Sequence, residues 1–180
     1  MNIKEKPFII VRAGVEDAAA LLEYQKIVGG ETDNLNYGAE GVSLSPEAMQ
    51  ARLREQTGSA DHVRYLAKAN GEIIGTASLN RRHKRMNHRG DFGISVKKAW
   101  WGSGAASALM EAILAFAREN GFKQIDLEVR SDNARAIRLY EKYGFHRLCT
   151  VPAFFKINGR YIDFELMNLS LLPAAREKTG

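Results

Sequence analysis

Ile94-Ser95-Val96-Lys97-Lys98-Ala99-Trp100-Trp101-Gly102-Ser103-Gly104-Ala105-Ala106 is the stretch on which the fold turns. A β-branched apolar run ends, a turn of nearly side-chain-free residues follows, and the amphipathic segment Ser107–Asn120 begins at once. Small residues let backbone N–H groups close on a bulky anion. The first turn of a helix adds unpaired donors and the positive end of its dipole. The stretch therefore predicts a phosphate-binding strand–turn–helix; the plainer reading is only a tight strand-to-helix turn.

Downstream, Ala108, Leu109, Ala112, Ile113 and Phe116 form the apolar stripe of a helix that stops at Asn120-Gly121. Gln124–Arg130 is the next strand, so the helix is a crossover and the strand pairs in parallel with Gly90–Lys97. Ser131-Asp132-Asn133 caps a helix from Ala134 to Lys142, closed by Tyr143-Gly144-Phe145. Two last strands, about 145–156 and 161–170, meet at Asn158-Gly159.

Upstream, Phe8–Arg12 reads as a first strand and Val15 to Val28 as a helix ended by Gly29-Gly30. A polar loop from Glu31 to Leu44 precedes Ser45-Pro46-Glu47-Ala48, a capped helix start that runs to about Gln56. Val63–Lys68 and Ile73–Leu79 flank the hairpin turn Asn70-Gly71. A second hairpin passes through Arg81–Arg89 into Gly90–Lys97. The fold class is α/β: a mixed, mostly antiparallel sheet of about six to seven strands, one parallel junction and about four helices.

With 180 residues, 45% of them hydrophobic and 26% charged, the chain has the composition of a globular domain. One domain is expected over residues 1–172, with a frayed tail at 173–180. Cys149 is the one cysteine, which excludes an intrachain disulfide and reads as a buried, inert thiol. Phe8–Val11 is too short an apolar run for a signal peptide or membrane span, so a cytoplasmic location is expected. The net charge of +5 draws on the basic run Arg81-Arg82-His83-Lys84-Arg85 with Arg89. No aromatic residues interleave it for base stacking, so nucleic acid is not expected as a partner. A solvated hairpin loop, or steering of an anionic ligand, accounts for the run. His62, His83, His88 and His146 show no ligand spacing, and no metal is expected.

Open α/β sheets place ligands at the carboxyl ends of parallel strands, where the topology changes. Here that mouth holds the glycine turn and the segment Arg130–Tyr140. Asn133, Ile137 and Tyr140 are four and three apart and share a helix face. An amide, an apolar patch and a phenol suit a ligand that is part amide and part thioester. The competing reading makes Asn133 a helix cap and Tyr140 core filling.

Over about residues 8–171 the chain resembles the GNAT superfamily of acetyl-CoA-dependent N-acetyltransferases. The matching pieces are Asp91–Val96, Trp101–Met110, Leu127-Glu128-Val129, Asn133 with Ala136, and Leu139–Phe145. The ending Gly159–Asp163 with Met167 is similar to a bacterial subgroup that includes acetylators of amino-acid and peptide α-amines. The family's cofactor loop reads Gln/Arg-x-x-Gly-x-Gly/Ala; Gly104 and Ala106 fit it, and Trp101 stands where the basic or amide residue would be. The resemblance implies a GNAT fold and acetyl-CoA as co-substrate. It implies that main-chain donors across Gly102, Ser103, Gly104, Ala105 and Ala106 hold the pyrophosphate. The segment Ile94, Ser95, Val96 would line the pantetheine arm as an added strand, and Asn133, beside Ile137, would bond its amide.

By the same resemblance an amine attacks the thioester directly, with no acyl-enzyme, and Tyr140 is the acid for the departing thiolate. A backbone N–H near Ile94 would steady the oxyanion. A base or water chain must also deprotonate the amine. Glu31 and His88 rank first as candidates, ahead of Asp91 and Glu128, whose side chain points away from Leu127 and Val129. Amino acids, polyamines, other small amines and protein amino groups all remain open as acceptors, with Glu31-Thr32-Asp33 favouring a cationic one. A homodimer through the last two strands is a further expectation. The competing functions are a non-catalytic acyl-CoA sensor and a basic nucleic-acid-binding module.

Overall fold

The computed structural model describes residues 7–173. The polar start before Pro7 and residues 174–180 of the expected tail lie outside them. The strands are β1 (Ile9–Arg12), β2 (His62–Ala69), β3 (Glu72–Arg81), β4 (Arg89–Val96), β5 (Gln124–Arg130), β6 (His146–Ile157) and β7 (Arg160–Ser170). The helices are α1 (Ala18–Glu31), α2 (Pro46–Gln56), α3 (Ala105–Glu119) and α4 (Ala134–Lys142).

Local chemistry sets most of these boundaries. Asn70 and Gly71 both take positive φ (50° and 81°), as do Asn158 and Gly159 (49° and 79°), which is the twist a two-residue hairpin needs. Ser45 accepts a hydrogen bond from the Ala48 N–H and Pro46 occupies the first turn of α2.

The strands join into one seven-stranded sheet in the order β1-β2-β3-β4-β5-β7-β6. Only β4 and β5 run parallel, and they pair over just three positions: Arg89 with Gln124, Gly90 with Ile125, Asp91 with Asp126. Beyond Asp91, β4 stays with β3 as far as Val96 while β5 stays with β7 as far as Arg130. The two strands splay, and the sheet opens at their carboxyl ends.

Each face of the sheet carries two helices. Leu109, Ile113 and Phe116 of α3 pack with Ile125, Leu127, Val129 and Met167 on one face, joined by Ile137 of α4. Leu21 of α1 and Met49 and Leu53 of α2 pack with Leu66 and Ile73 on the other. Full burial of each such side chain stabilises the fold by about 1.5–3 kcal/mol. Ala108 and Ala112, assigned above to the buried stripe, sit half-buried at its margin; Met110, Leu114 and Ala117 complete it.

Two expectations are corrected. Gly29-Gly30 does not end the first helix, which starts at Ala18 after a short turn and runs through both glycines to Glu31. Gly29 is there for close approach: a Cβ would stand 1.9 Å from the Gly38 carbonyl oxygen, so only glycine lets the following loop fold onto the helix. Cys149 is exposed rather than buried, because β6 is the outermost strand of the sheet and most of its residues face solvent. Among the described residues no helix is long and apolar enough to cross a membrane, and no group of side chains has metal-ligand geometry.

Candidate active site

The splay between β4 and β5 is the mouth of a cleft of about 800 Å³. One wall is the main chain of β4. The Lys97 N–H bonds the Ile74 carbonyl, so the backbone groups of Ser95 and Gly93 also turn toward β3. By alternation those of Ile94 and Val96 turn into the cleft. The Val96 carbonyl already accepts the indole N–H of Trp101 at 2.9 Å. The N–H of Ile94 therefore faces the gap where β5 would have lain. Ser95 turns its hydroxyl to the opposite sheet face, 3.0 Å from the Tyr24 hydroxyl of α1, which pins the strand after it has left β5.

The floor at one end is the glycine turn. Gly102 and Gly104 hold φ of 79° and 89°, a left-handed geometry that lets the chain turn sharply into α3 and brings its first turn to the cleft. Ala106 and Ser107 border the cleft there. Ala105 does not: it is fully buried, and its N–H is taken by the Ser103 hydroxyl at 3.3 Å. Trp101 lies at the rim, with the Arg135 guanidinium 3.3 Å from its ring centroid. Burial pulls the Arg135 pKa down, with no carboxylate among the described residues raising it again.

The second wall comes from α4 and β5. Asn133 does both things weighed from its sequence context: its carbonyl oxygen caps α4 by accepting the Ala136 N–H, and the residue borders the cleft, with its NH₂ left to donate. Tyr140 also borders the cleft and is 7% exposed. Phe92 meets its ring edge-on at 6.2 Å and Phe145 packs at 5.9 Å, so the phenol is held in one place. Burial pushes its pKa well above the ordinary tyrosine value, which keeps the O–H protonated. Ile137, expected on the same face, instead turns into the core at 2% exposure; Ala136 and Leu139 border the cleft in its place.

The candidate bases separate cleanly. Glu31 is the last residue of α1 rather than part of a loop, and its carboxylate accepts the Lys98 N–H at 2.8 Å, outside the cleft lining. His88 lies before the opposite end of β4, where its carbonyl accepts the Lys123 and Gln124 N–H groups; it borders a separate basic hollow with Arg81 and Lys123. Asp91 is engaged by Arg82. Glu128 alone of the four borders the cleft, and among the described residues around the cleft it carries the one carboxylate. Arg130 and the phenylalanines Phe154, Phe155 and Phe164 complete the far end. The adjacent pair Phe154-Phe155 is the sequence signal for that end.

Much of the basic run is structural. Arg81 is paired with Asp61, and Arg82 and Arg89 with Asp91 and Asp126.

The family model described as Acetyltransferase (GNAT) family matches residues 31–145, and the chain belongs to that family. It is 34% identical over 122 residues to the L-amino acid N-acetyltransferase AaaT of Escherichia coli, covering 66% of this chain and 73% of the relative. A crystallised GNAT acetyltransferase from Streptococcus pneumoniae superposes with a TM-score of 0.88 at 31% identity, over 92% of this chain and all of that one. The Salmonella typhimurium protein yncA, solved with its cofactor acetyl-CoA, shares the fold at a TM-score of 0.81 and 22% identity, over 96% and 99% of the two chains. The protein is an N-acetyltransferase, moving acetyl from acetyl-CoA to an amine.

Proposed function

We propose that acetyl-CoA lies along the opened edge of β4 and that its acetyl group is passed directly to a primary amine approaching from the α1 side. The carrying observation is that the first turn of α3 at Ala106 and Ser107, Ile94, Tyr140 and Glu128 all border one cleft. The start of α3 receives the pyrophosphate, helped by the cationic Arg135 over Trp101. Asn133 donates to the pantetheine amide. The Ile94 N–H meets the oxygen on which negative charge develops.

Glu128, directly or through one water, takes a proton from the incoming ammonium, and the neutral nitrogen attacks the thioester carbon. A C–N bond forms and the C–S bond breaks. The departing thiolate, whose thiol has a pKa of about 8.5, is met by the Tyr140 O–H, and the second proton shed by the acylated nitrogen balances the one the sulfur takes up. Products are the N-acetyl amine and coenzyme A.

A cytoplasmic location belongs to the same reading, supported by the exposed Cys149, a thiol that persists in a reducing compartment. So does a homodimer through edge strand β6, where Leu148 is 50% exposed, and Tyr161 of the adjoining β7, 65% exposed. Calorimetric titration with acetyl-CoA, followed by thiol release in the presence of amines, tests the assignment. Micromolar binding and amine-dependent release are expected. Binding without release from any amine returns the protein to the sensor reading, and no binding at millimolar acetyl-CoA removes both.

A further inference from the structure

The acceptor end of the cleft is built for one particular kind of amine. Leu127 and Val129 belong to the core beneath α3, so by strand alternation Glu128 and Arg130 project from the opposite sheet face, the face that carries α1. Phe164 pairs with Arg130 across β5 and β7 and shares that face. The register of β6 against β7 breaks between Val151 and Phe155, and Ala153 takes a φ of 55° there. This bulge swings Phe154 and Phe155 onto Phe164, with ring centroids 4.8 and 4.3 Å away. Leu35, from the segment after α1, borders the same space.

Three mutually packed aromatics and a leucine make an apolar wall, yet Phe154 remains 38% exposed at the mouth. An exposed aromatic rim next to the thioester position gains stability when an apolar group covers it. The charges in the cleft argue the same way. Glu31, which as a loop acid would have drawn a polycation, is spent on the Lys98 N–H. What remains is one carboxylate, Glu128, and the cation Arg135, since Arg130 is already paired with Asp132. A second ammonium on the acceptor would find no partner and would face a guanidinium. Asp132 takes both Nε and Nη2 of Arg130 and the Asp33 carbonyl takes Nη1, so this guanidinium is a fixed, charge-paired part of the wall.

We infer that the acceptor is a primary amine bearing one apolar side chain, aromatic, thioether or branched alkyl, with no second cationic group. Its ammonium sits at Glu128 and its side chain on Phe154, Phe155 and Phe164. This rests on the acetyl-CoA reading above and narrows it to a substrate class.

The test is a kcat/KM series by thiol release with L-phenylalanine, L-methionine and L-leucine against L-serine, L-lysine and spermidine. Covering one apolar side chain is worth about ten-fold or more in kcat/KM, so the first three should exceed the others by at least that factor. Phe154→Ser, at the exposed rim, should shrink that preference several-fold by raising KM for the apolar substrates. Its acetyl-CoA affinity should not move, which shows that the variant is folded. Equal or better turnover of L-serine or spermidine overturns the inference, as does an undiminished preference in Phe154→Ser. Failure to turn over any apolar amino acid, by protein that binds acetyl-CoA, also overturns it and leaves the cofactor reading standing. Absence of acetyl-CoA binding by the unmutated protein takes both down.

Discussion

The Arg135 guanidinium lies 3.3 Å above the Trp101 ring, and the Trp101 indole N–H in turn holds the Val96 carbonyl. A cation from α4 is thus carried to the rim of the glycine turn, where residue 101 itself supplies none. Arg135→Ala should weaken acetyl-CoA binding about ten-fold, combining a lost cation–π contact with a lost phosphate partner. Titration calorimetry at two salt concentrations checks it: the wild-type advantage should narrow as salt rises.

Tyr140→Phe keeps the ring packed against Phe92 and Phe145 and deletes only the hydroxyl. Turnover should fall about 10²–10⁴-fold, with acetyl-CoA affinity and the thermal midpoint nearly unchanged. Parallel steady-state kinetics and calorimetry separate the two effects. Unchanged kcat would place the leaving-group proton elsewhere.

Glu128→Gln and Glu31→Gln should part company. The first should depress kcat/KM about 10²-fold or more, since the proton acceptor in the cleft is gone. The second only exchanges a charged acceptor for a neutral amide oxygen at the Lys98 N–H, which costs at most about 1 kcal/mol of stability, and leaves kcat/KM nearly unchanged. A large loss of turnover in Glu31→Gln alone would reverse the assignment.

Burial raises the pKa values of Tyr24 and Tyr140 above that of an unfolded tyrosine, about 10. Below that value both phenols are neutral in folded and unfolded chains, and their contribution is fully present. Above it the unfolded chain loses these protons first, so stability falls as pH climbs toward the folded values. Urea denaturation between pH 8 and 11 should show this loss beginning near about pH 10. Tyr24→Phe, which also gives up the Ser95 hydrogen bond, should start lower and fall less steeply.

Asp126 gives the opposite limb. Burial works to raise its pKa, but hydrogen bonds from Arg89 and Asn168 and the charges of Arg89 and Arg82 outweigh it, and the net shift is downward. Its contribution is present above the ordinary aspartate value of about 3.9 and is lost as pH falls through its lower folded value. Asp126→Asn should flatten the acid arm of the stability curve, read by urea titration from neutral pH down.

What short-range chemistry decides was legible along the chain. Asn-Gly pairs set both hairpin turns, Ser45-Pro46 started α2, and the small residues after Trp101 marked the strand–turn–helix. Alternation and helical spacing located β5 at Gln124–Arg130 and α4 at Ala134–Lys142, because dihedral preference and side-chain period act within a few residues. The phenol of Tyr140 and the cap at Asn133 followed from the same local rules together with the family resemblance.

Tertiary structure alone decided which ends and faces meet. Helical spacing put Asn133, Ile137 and Tyr140 on one side of α4, but packing rotates that side so that Ile137 enters the core and Ala136 and Leu139 face the cleft. Nearness in sequence to β4 made His88 attractive, yet the strand carries it to the end where β4 and β5 are still paired, away from the opening. The exposure of Cys149 on an edge strand, the capture of Glu31 by Lys98, and the gathering of Phe154, Phe155 and Phe164 through a bulge all depend on contacts between distant segments. Backbone preferences are local free energies that each residue carries with it. The placement of a carboxylate or an aromatic wall arises only when strands from different parts of the chain pair, splay and bury their faces together.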